Sequence, residues 1–202
     1  ASIFGELIAL IEEDKRLGKE NELTMKLPYS RELFGVPKNL HIIGAMNTAD
    51  RSVEALDAAL RRRFDFVEMA PDSSKIDQPE GLSVDLQKLL TTINARIERL
   101  LDKDHRIGHS YFMGIASAEK PFQELKKVFA TKVLPLLKEH FYRDPAKIGM
   151  VLGPRFVKSR ETGAKLAVGD WSEEELDMQL WDVADPQNLT QDDFKSVYDS
   201  DA

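Results

Sequence analysis

The hydrophobic period of this chain changes once, in the loop from Pro71-Asp72-Ser73-Ser74 through Pro79 to Gly81. Before that loop, short apolar runs alternate with polar segments and helical stretches. After it, apolar residues recur at helical spacing. Mixed strands and helices argue for an α/β layer, and a helix-only pattern argues for helices packed around their own core. A cluster of Pro, Asp, Ser and Gly is the punctuation expected between two such parts. The sequence therefore predicts an α/β part over residues 1–72, an all-α part over 73–155 and an acidic extension over 156–202.

In the first part, Ile3, Phe4, Leu7, Ile8 and Ile11 recur at helical spacing and predict an amphipathic helix. Ser2 suits its N-cap, Lys15 and Arg16 its C-terminal dipole, and Gly18 its stop. Glu22 to Tyr29 predicts a short hairpin arm ended by Pro28. After Pro37 comes Leu40-His41-Ile42-Ile43-Gly44-Ala45-Met46, the pattern of a buried parallel strand. That run leads straight into Asn47-Thr48-Ala49-Asp50-Arg51-Ser52. Ser52 is placed to cap a helix whose apolar face is Val53, Leu56 and Leu60 and which ends in Arg61-Arg62-Arg63. Phe64 to Met69 then alternates as a strand.

In the second part, Leu86, Leu89, Leu90, Ile93, Ile97, Leu100 and Leu101 define one helical face. Phe122, Leu125, Val128, Phe129, Leu136 and Phe141 define another, with Pro135 expected to kink that helix. Between them lies Arg106-Ile107-Gly108-His109-Ser110-Tyr111-Phe112. A shorter helix is expected near Ala146 to Leu152.

The net charge of −7 is unevenly placed: Asp170 to Ala202 holds eleven acidic residues and a single basic one, Lys195. The body is near neutral, so the overall charge does not argue against a nucleotide or nucleic-acid partner. The absence of cysteine excludes disulfides and thiolate metal sites and fits a reducing cytoplasm. No apolar run approaches the roughly 18 residues that span a bilayer. His41, His105, His109 and His140 have no metal-ligand spacing, and no metal site is expected in these residues.

Two features carry chemistry. Asn47 ends an apolar strand, and ligands in open α/β sheets bind at the carboxyl ends of strands. Its neutral amide can donate to a phosphate oxygen or hold an attacking water; it can equally start a turn. Three successive arginines on a helix lie about 100° apart and cannot share one role. One of them can reach a phosphate in a neighbouring subunit, where an arginine supplied in trans accelerates hydrolysis by roughly 10³ to 10⁵. Plain complementation of a helix C-terminus also accounts for the run. No G-x-x-x-x-G-K-[ST] phosphate loop occurs in these 202 residues; Gly18-Lys19 is followed by Glu20.

Together, Ile42 to Ser52 with its M-N-T-A-D-R-S string, followed by Ala59-Leu60-Arg61-Arg62-Arg63-Phe64, resembles the McrB family of AAA+ proteins. Ser2 to Lys15 is similar to the helix after that family's Walker B acids, and Ile107 to Phe112 to a lid motif. The resemblance implies the C-terminal part of a P-loop AAA+ module with a helical lid. It implies that Asn47 is sensor 1, orienting the hydrolytic water. Thr48, Asp50 and Arg51 belong to the signature loop, where Asp50 and Arg51 order a surface met by a McrC-like nuclease subunit. Arg62 is the leading candidate for the arginine finger, with Arg63 second. Arg106, Gly108, His109 and Ser110 lie where relatives place a nucleotide contact in the lid, Arg106 standing in for a missing sensor-2 arginine.

The resemblance further implies a cytoplasmic, ring-forming, hexameric motor that hydrolyses GTP with Mg²⁺ and moves DNA for a methylation-dependent restriction endonuclease. DNA would be read by a domain absent here. Walker A and Walker B are absent from these residues, so the chain is expected to be a fragment that is inactive alone. Two other readings stay open: an ATP-dependent remodelling motor of the MoxR or dynein-related kind, and a non-catalytic AAA+ scaffold that binds partners.

Overall fold

The computed structural model describes residues 5–46, 62–161 and 180–199. It divides into two compact units, Ala1–Met69 and Ala70–Ala202. No helix among the described residues is long and apolar enough to cross a membrane.

In the second unit, the Asp85 carboxylate accepts from the Lys88 N–H and starts helix α1 (Leu86–Leu100). Leu86, Leu89, Leu90, Ile93, Asn94 and Ile97 are its buried face, the stripe that helical spacing predicts. Helix α2 (Pro121–Val128) begins on a proline whose missing N–H costs nothing at a first turn. It continues through one π-helical stretch, Phe129–Val133, into α3 (Leu134–His140). The expected effect of Pro135 takes this form. Proline offers no N–H and crowds the preceding turn, and a π-bulge relieves both problems without breaking the rod.

Asp144 caps α4 (Pro145–Leu152), which ends at Gly153 with φ of 90°, a conformation that favours glycine. The chain then enters β3 (Val157–Arg160), paired antiparallel with β4 (Leu180–Val183) in the register Val157–Val183 and Arg160–Leu180. Helix α4 packs on β3 closely enough that a Cβ at Gly149 would stand 3.3 Å from Val157 Cβ.

The sequence sets 156–202 apart as an acidic extension, but its described residues, 156–161 and 180–199, supply part of this unit's core. Phe112, Phe129, Phe156 and Phe194 are fully buried. Phe129 meets Phe194 edge-on at 4.8 Å between centroids, and Phe156 meets Phe194 at 5.2 Å, the arrangement that aromatic quadrupoles favour. Phe194 lies on α5 (Gln191–Lys195), opened by a capping box between Thr190 and Asp193. The Tyr198 hydroxyl accepts from the Asp85 N–H at 2.9 Å, and the Lys126 ammonium donates to the Gln187 carbonyl at 2.9 Å. Asp182, Asp185, Asp192 and Asp199 are exposed, while Leu189, Phe194 and Val197 are buried.

The first unit corrects several expectations. The opening segment forms 3₁₀ turns, Gly5–Ile11 and Glu13–Lys15, rather than one α-helix. Gly5 and the β-branched Ile8 and Ile11 weaken the α-helix there. A hairpin does form, but its strands are β1 (Met25–Lys26) and β2 (Leu33–Phe34), so Pro28 and Tyr29 lie in the turn instead of ending the arm. Arg31 closes that turn with φ of 60°. Leu40–Met46 is not a buried parallel strand: it pairs with no strand among the described residues, and Ile43 is 96% exposed. Phe64–Met69 likewise forms no strand among the described residues, and Val67 and Met69 are exposed. A parallel strand needs a partner reached by a long crossover. The only strands described in this unit, β1 and β2, use their pairing on each other. Among the described residues its parallel contact is an isolated bridge between Leu17 and Pro37.

Phe194→Ala should lower the unfolding free energy by about 3–5 kcal/mol, the usual cost of emptying a buried aromatic site. Urea denaturation checks this; no change would mean that the tail is not part of the core. Asp193 gives a pH prediction. Its carboxyl is held below the usual range by hydrogen bonds from the Thr190 N–H and then the Thr190 hydroxyl. The stabilisation is complete above the ordinary aspartate value of about 4 and fades as pH falls through the lower folded value. Asp193→Asn should therefore show a shallower acid loss of stability than the parent chain.

Candidate functional site

Three groups of residues carry the chemistry expected from sequence. The first, Asn47 with Thr48, Asp50 and Arg51, lies outside the described residues.

The second is the arginine run, of which Arg62 and Arg63 are described, in a turn. They differ sharply. The Arg63 guanidinium is 2.5 Å from a Glu12 carboxylate oxygen, with only 17% and 34% of the two side chains exposed. Glu12 stands between the two 3₁₀ turns of the opening segment, so this ion pair ties the end of the arginine run to the start of the chain. Arg62 is solvent-exposed. Of the two described arginines, Arg63 is committed to the fold while Arg62 is exposed to solvent.

The third is the string between α1 and α2. Arg106 follows a short 3₁₀ turn, Lys103–His105, and its Nε donates to the Lys103 carbonyl at 2.8 Å while a terminal nitrogen lies 3.7 Å from Glu98. Ile107 is buried, Gly108 is half-buried with an extended backbone, and a second 3₁₀ turn covers His109–Tyr111. The His109 ring is half-buried, and its Nδ1 accepts from the Asp72 N–H at 3.0 Å. Ser110 is exposed. The structure thus brings Arg106, Gly108, His109 and Ser110 together in one loop.

Sequence reasoning missed two features beside that loop. Asn94 sits on the buried face of α1 and bonds both backbone groups of Ile107. The signal was present, since Leu90, Asn94 and Ile97 fall at helical spacing on an otherwise apolar stripe. The other is a pair of histidines. His105 Nδ1 donates to Asp102 at 2.7 Å, and its ring meets His140 edge-on at 4.9 Å. The His105 bond holds the Asp102 carboxyl below its usual range. Burial, and then the neighbouring His105, lower His140. Among the described residues no three metal-ligating side chains gather.

Residues 1–64 match the AAA domain of the dynein-related subfamily, and residues 85–149 match the McrB alpha-helical lid domain. The chain is also similar to the type IV methyl-directed restriction enzyme EcoKMcrB subunit of Escherichia coli (strain K12). It is 39% identical to that protein over 165 residues, covering 73% of this chain. The chain spans about a third of that relative, 35% of its length.

The two arginines should separate in a stability assay. Glu12→Ala and Arg63→Ala should each lower unfolding free energy by up to about 1 kcal/mol, the range for a partly exposed ion pair. Arg62→Ala should fall within about 0.5 kcal/mol of the parent, as exposed substitutions usually do. A larger loss in Arg62→Ala would show that this side chain is structural.

Proposed function

From a chain that belongs to the McrB-type AAA family, we propose the C-terminal portion of a nucleotide-hydrolysing motor subunit in a methylation-directed restriction system. The full-length protein assembles as a ring, most simply a hexamer, couples hydrolysis to movement along DNA, and works with a McrC-like nuclease subunit. The nucleotide is GTP bound with Mg²⁺, a preference that rests on the family resemblance. Nothing in the chemistry of the described residues selects guanine over adenine.

The observation that carries this reading is the divided fate of the arginine run. An arginine acting on the next subunit must be free of the core and yet rigidly based. Arg62 is exposed, and Arg63 beside it anchors the turn through Glu12. Arg62 therefore acts as the finger, and Arg63 supports it. Asn47, four residues beyond Ile43, orients the hydrolytic water, and Thr48, Asp50 and Arg51 present the partner-facing loop. In the lid, the string Arg106–Ser110 faces the nucleotide. Its side chains fit an anion: Ser110, an exposed residue, carries a hydroxyl and Arg106 a guanidinium. These groups do not amount to a phosphate cradle, and the 202 residues hold no P-loop sequence.

Arg62→Ala in the full-length protein should abolish turnover and leave nucleotide affinity within about twofold, because a finger stabilises charge that develops only in the transition state. Steady-state hydrolysis and equilibrium binding with GTP and ATP check both halves. Normal turnover would reject the finger. ATP hydrolysed in preference to GTP would favour the dynein-related remodelling reading. The 202-residue chain alone should show no nucleotide binding by calorimetry.

A further inference from the structure

The Arg106–Ser110 string is held at two points. At the first, Asn94 is 8% exposed on the apolar face of α1. Its Oδ1 accepts from the Ile107 N–H at 2.7 Å, and its Nδ2 donates to the Ile107 carbonyl at 2.9 Å. Ile107 is fully buried, so its peptide groups have no water to turn to. On packing alone a leucine would serve this stripe better. The amide is there for what it holds.

At the second point, His109 Nδ1 accepts from the Asp72 N–H. That bond fixes the orientation of the ring through its Nδ1 edge. The Asp72 peptide is itself fixed. Its carboxylate accepts from the Ser74 hydroxyl at 2.6 Å and the Ser74 N–H at 3.0 Å, bonds that hold the carboxyl below the usual range. Ser73 next to it bonds Thr91 on α1 at 3.0 Å. Both points therefore refer the string back to one rigid helix. Gly108 lies between them, and the exposed Ser110 follows.

We propose that Asn94 and His109 are positioning residues that preset the string, so that Ser110 and Arg106 meet the phosphates of the nucleotide while the His109 ring does not touch them. This rests on the nucleotide-facing reading of the string given above. Donors fixed in advance avoid an ordering cost at binding, and that saving appears in ground-state affinity. The expected signature is a raised KM with kcat little changed.

The test is steady-state hydrolysis of GTP by the full-length protein, with thermal midpoints measured alongside. Asn94→Ala and His109→Ala should each raise KM about tenfold, the equivalent of losing one hydrogen bond's worth of preset geometry, with kcat within about twofold. His109→Asn places an amide oxygen near the position of Nδ1 and should recover most of the loss. Ser110→Ala and Arg106→Ala serve as references and should raise KM on their own. If these references raise KM while Asn94→Ala and His109→Ala stay at the wild-type value, the clamp is overturned and the nucleotide-facing reading stands. If none of the four raises KM, the nucleotide-facing reading fails and takes the proposal with it. His109→Asn as damaged as His109→Ala would mean that the ring does more than accept from Asp72. Should Asn94→Ala not fold, the His109 pair, on a half-buried ring, decides the matter.

Discussion

The lid unit depends on one packing event, the burial of Phe129 among Phe112, Phe156 and Phe194. These rings come from four separate stretches of chain: the loop after α1, the α2–α3 rod, the entry to β3, and α5. Outside the α2–α3 rod these stretches are short, and a helix of the length of α5 is marginal in water by itself. Apolar burial at this meeting point offsets the entropy of ordering them. With the core in place, α1 becomes a fixed reference, and the string after it can be set by hydrogen bonds of defined direction.

That order, core first and polar geometry second, explains why so few polar groups are buried. Among the described residues, Asn94 and Lys126 are the buried polar or charged ones. Each is matched to a backbone partner, as buried polar groups require. Lys126 reaches the Gln187 carbonyl and lies 4.7 Å from the Phe122 ring centre, joining α2 to the tail. Asn94 joins α1 to the string. The first bond closes the core, and the second aims a loop.

The helical half was legible because its signals are local. The spacing of Leu86 to Ile97 states a helix, and Pro135 states a disturbance. What the sequence did not show was that the disturbance becomes a π-bulge, since that depends on neighbours holding the rod together. The tail was misjudged because its acidic composition masked Phe194, Val197 and Tyr198 at helical spacing behind a Thr190–Asp193 capping signature. The α/β half was less legible. An apolar run such as Leu40–Met46 announces a wish for burial but says nothing about its partner, and no partner strand exists among the described residues. At the site, the chemistry of the arginine run could be read from sequence, but the division of labour between Arg62 and Arg63 required Glu12, which is distant in sequence.

The central claim is that an amide in one subunit and a guanidinium in the next serve the same nucleotide. Mixing two inactive full-length proteins, Asn47→Ala and Arg62→Ala, tests it most directly. If the arginine acts in trans, mixed rings contain interfaces where an intact Asn47 faces an intact Arg62 from its neighbour, and hydrolysis returns on mixing. If both side chains served their own subunit's nucleotide, every site in every mixed ring would lack one of them. Hydrolysis would then stay absent at all mixing ratios, and the account would be wrong.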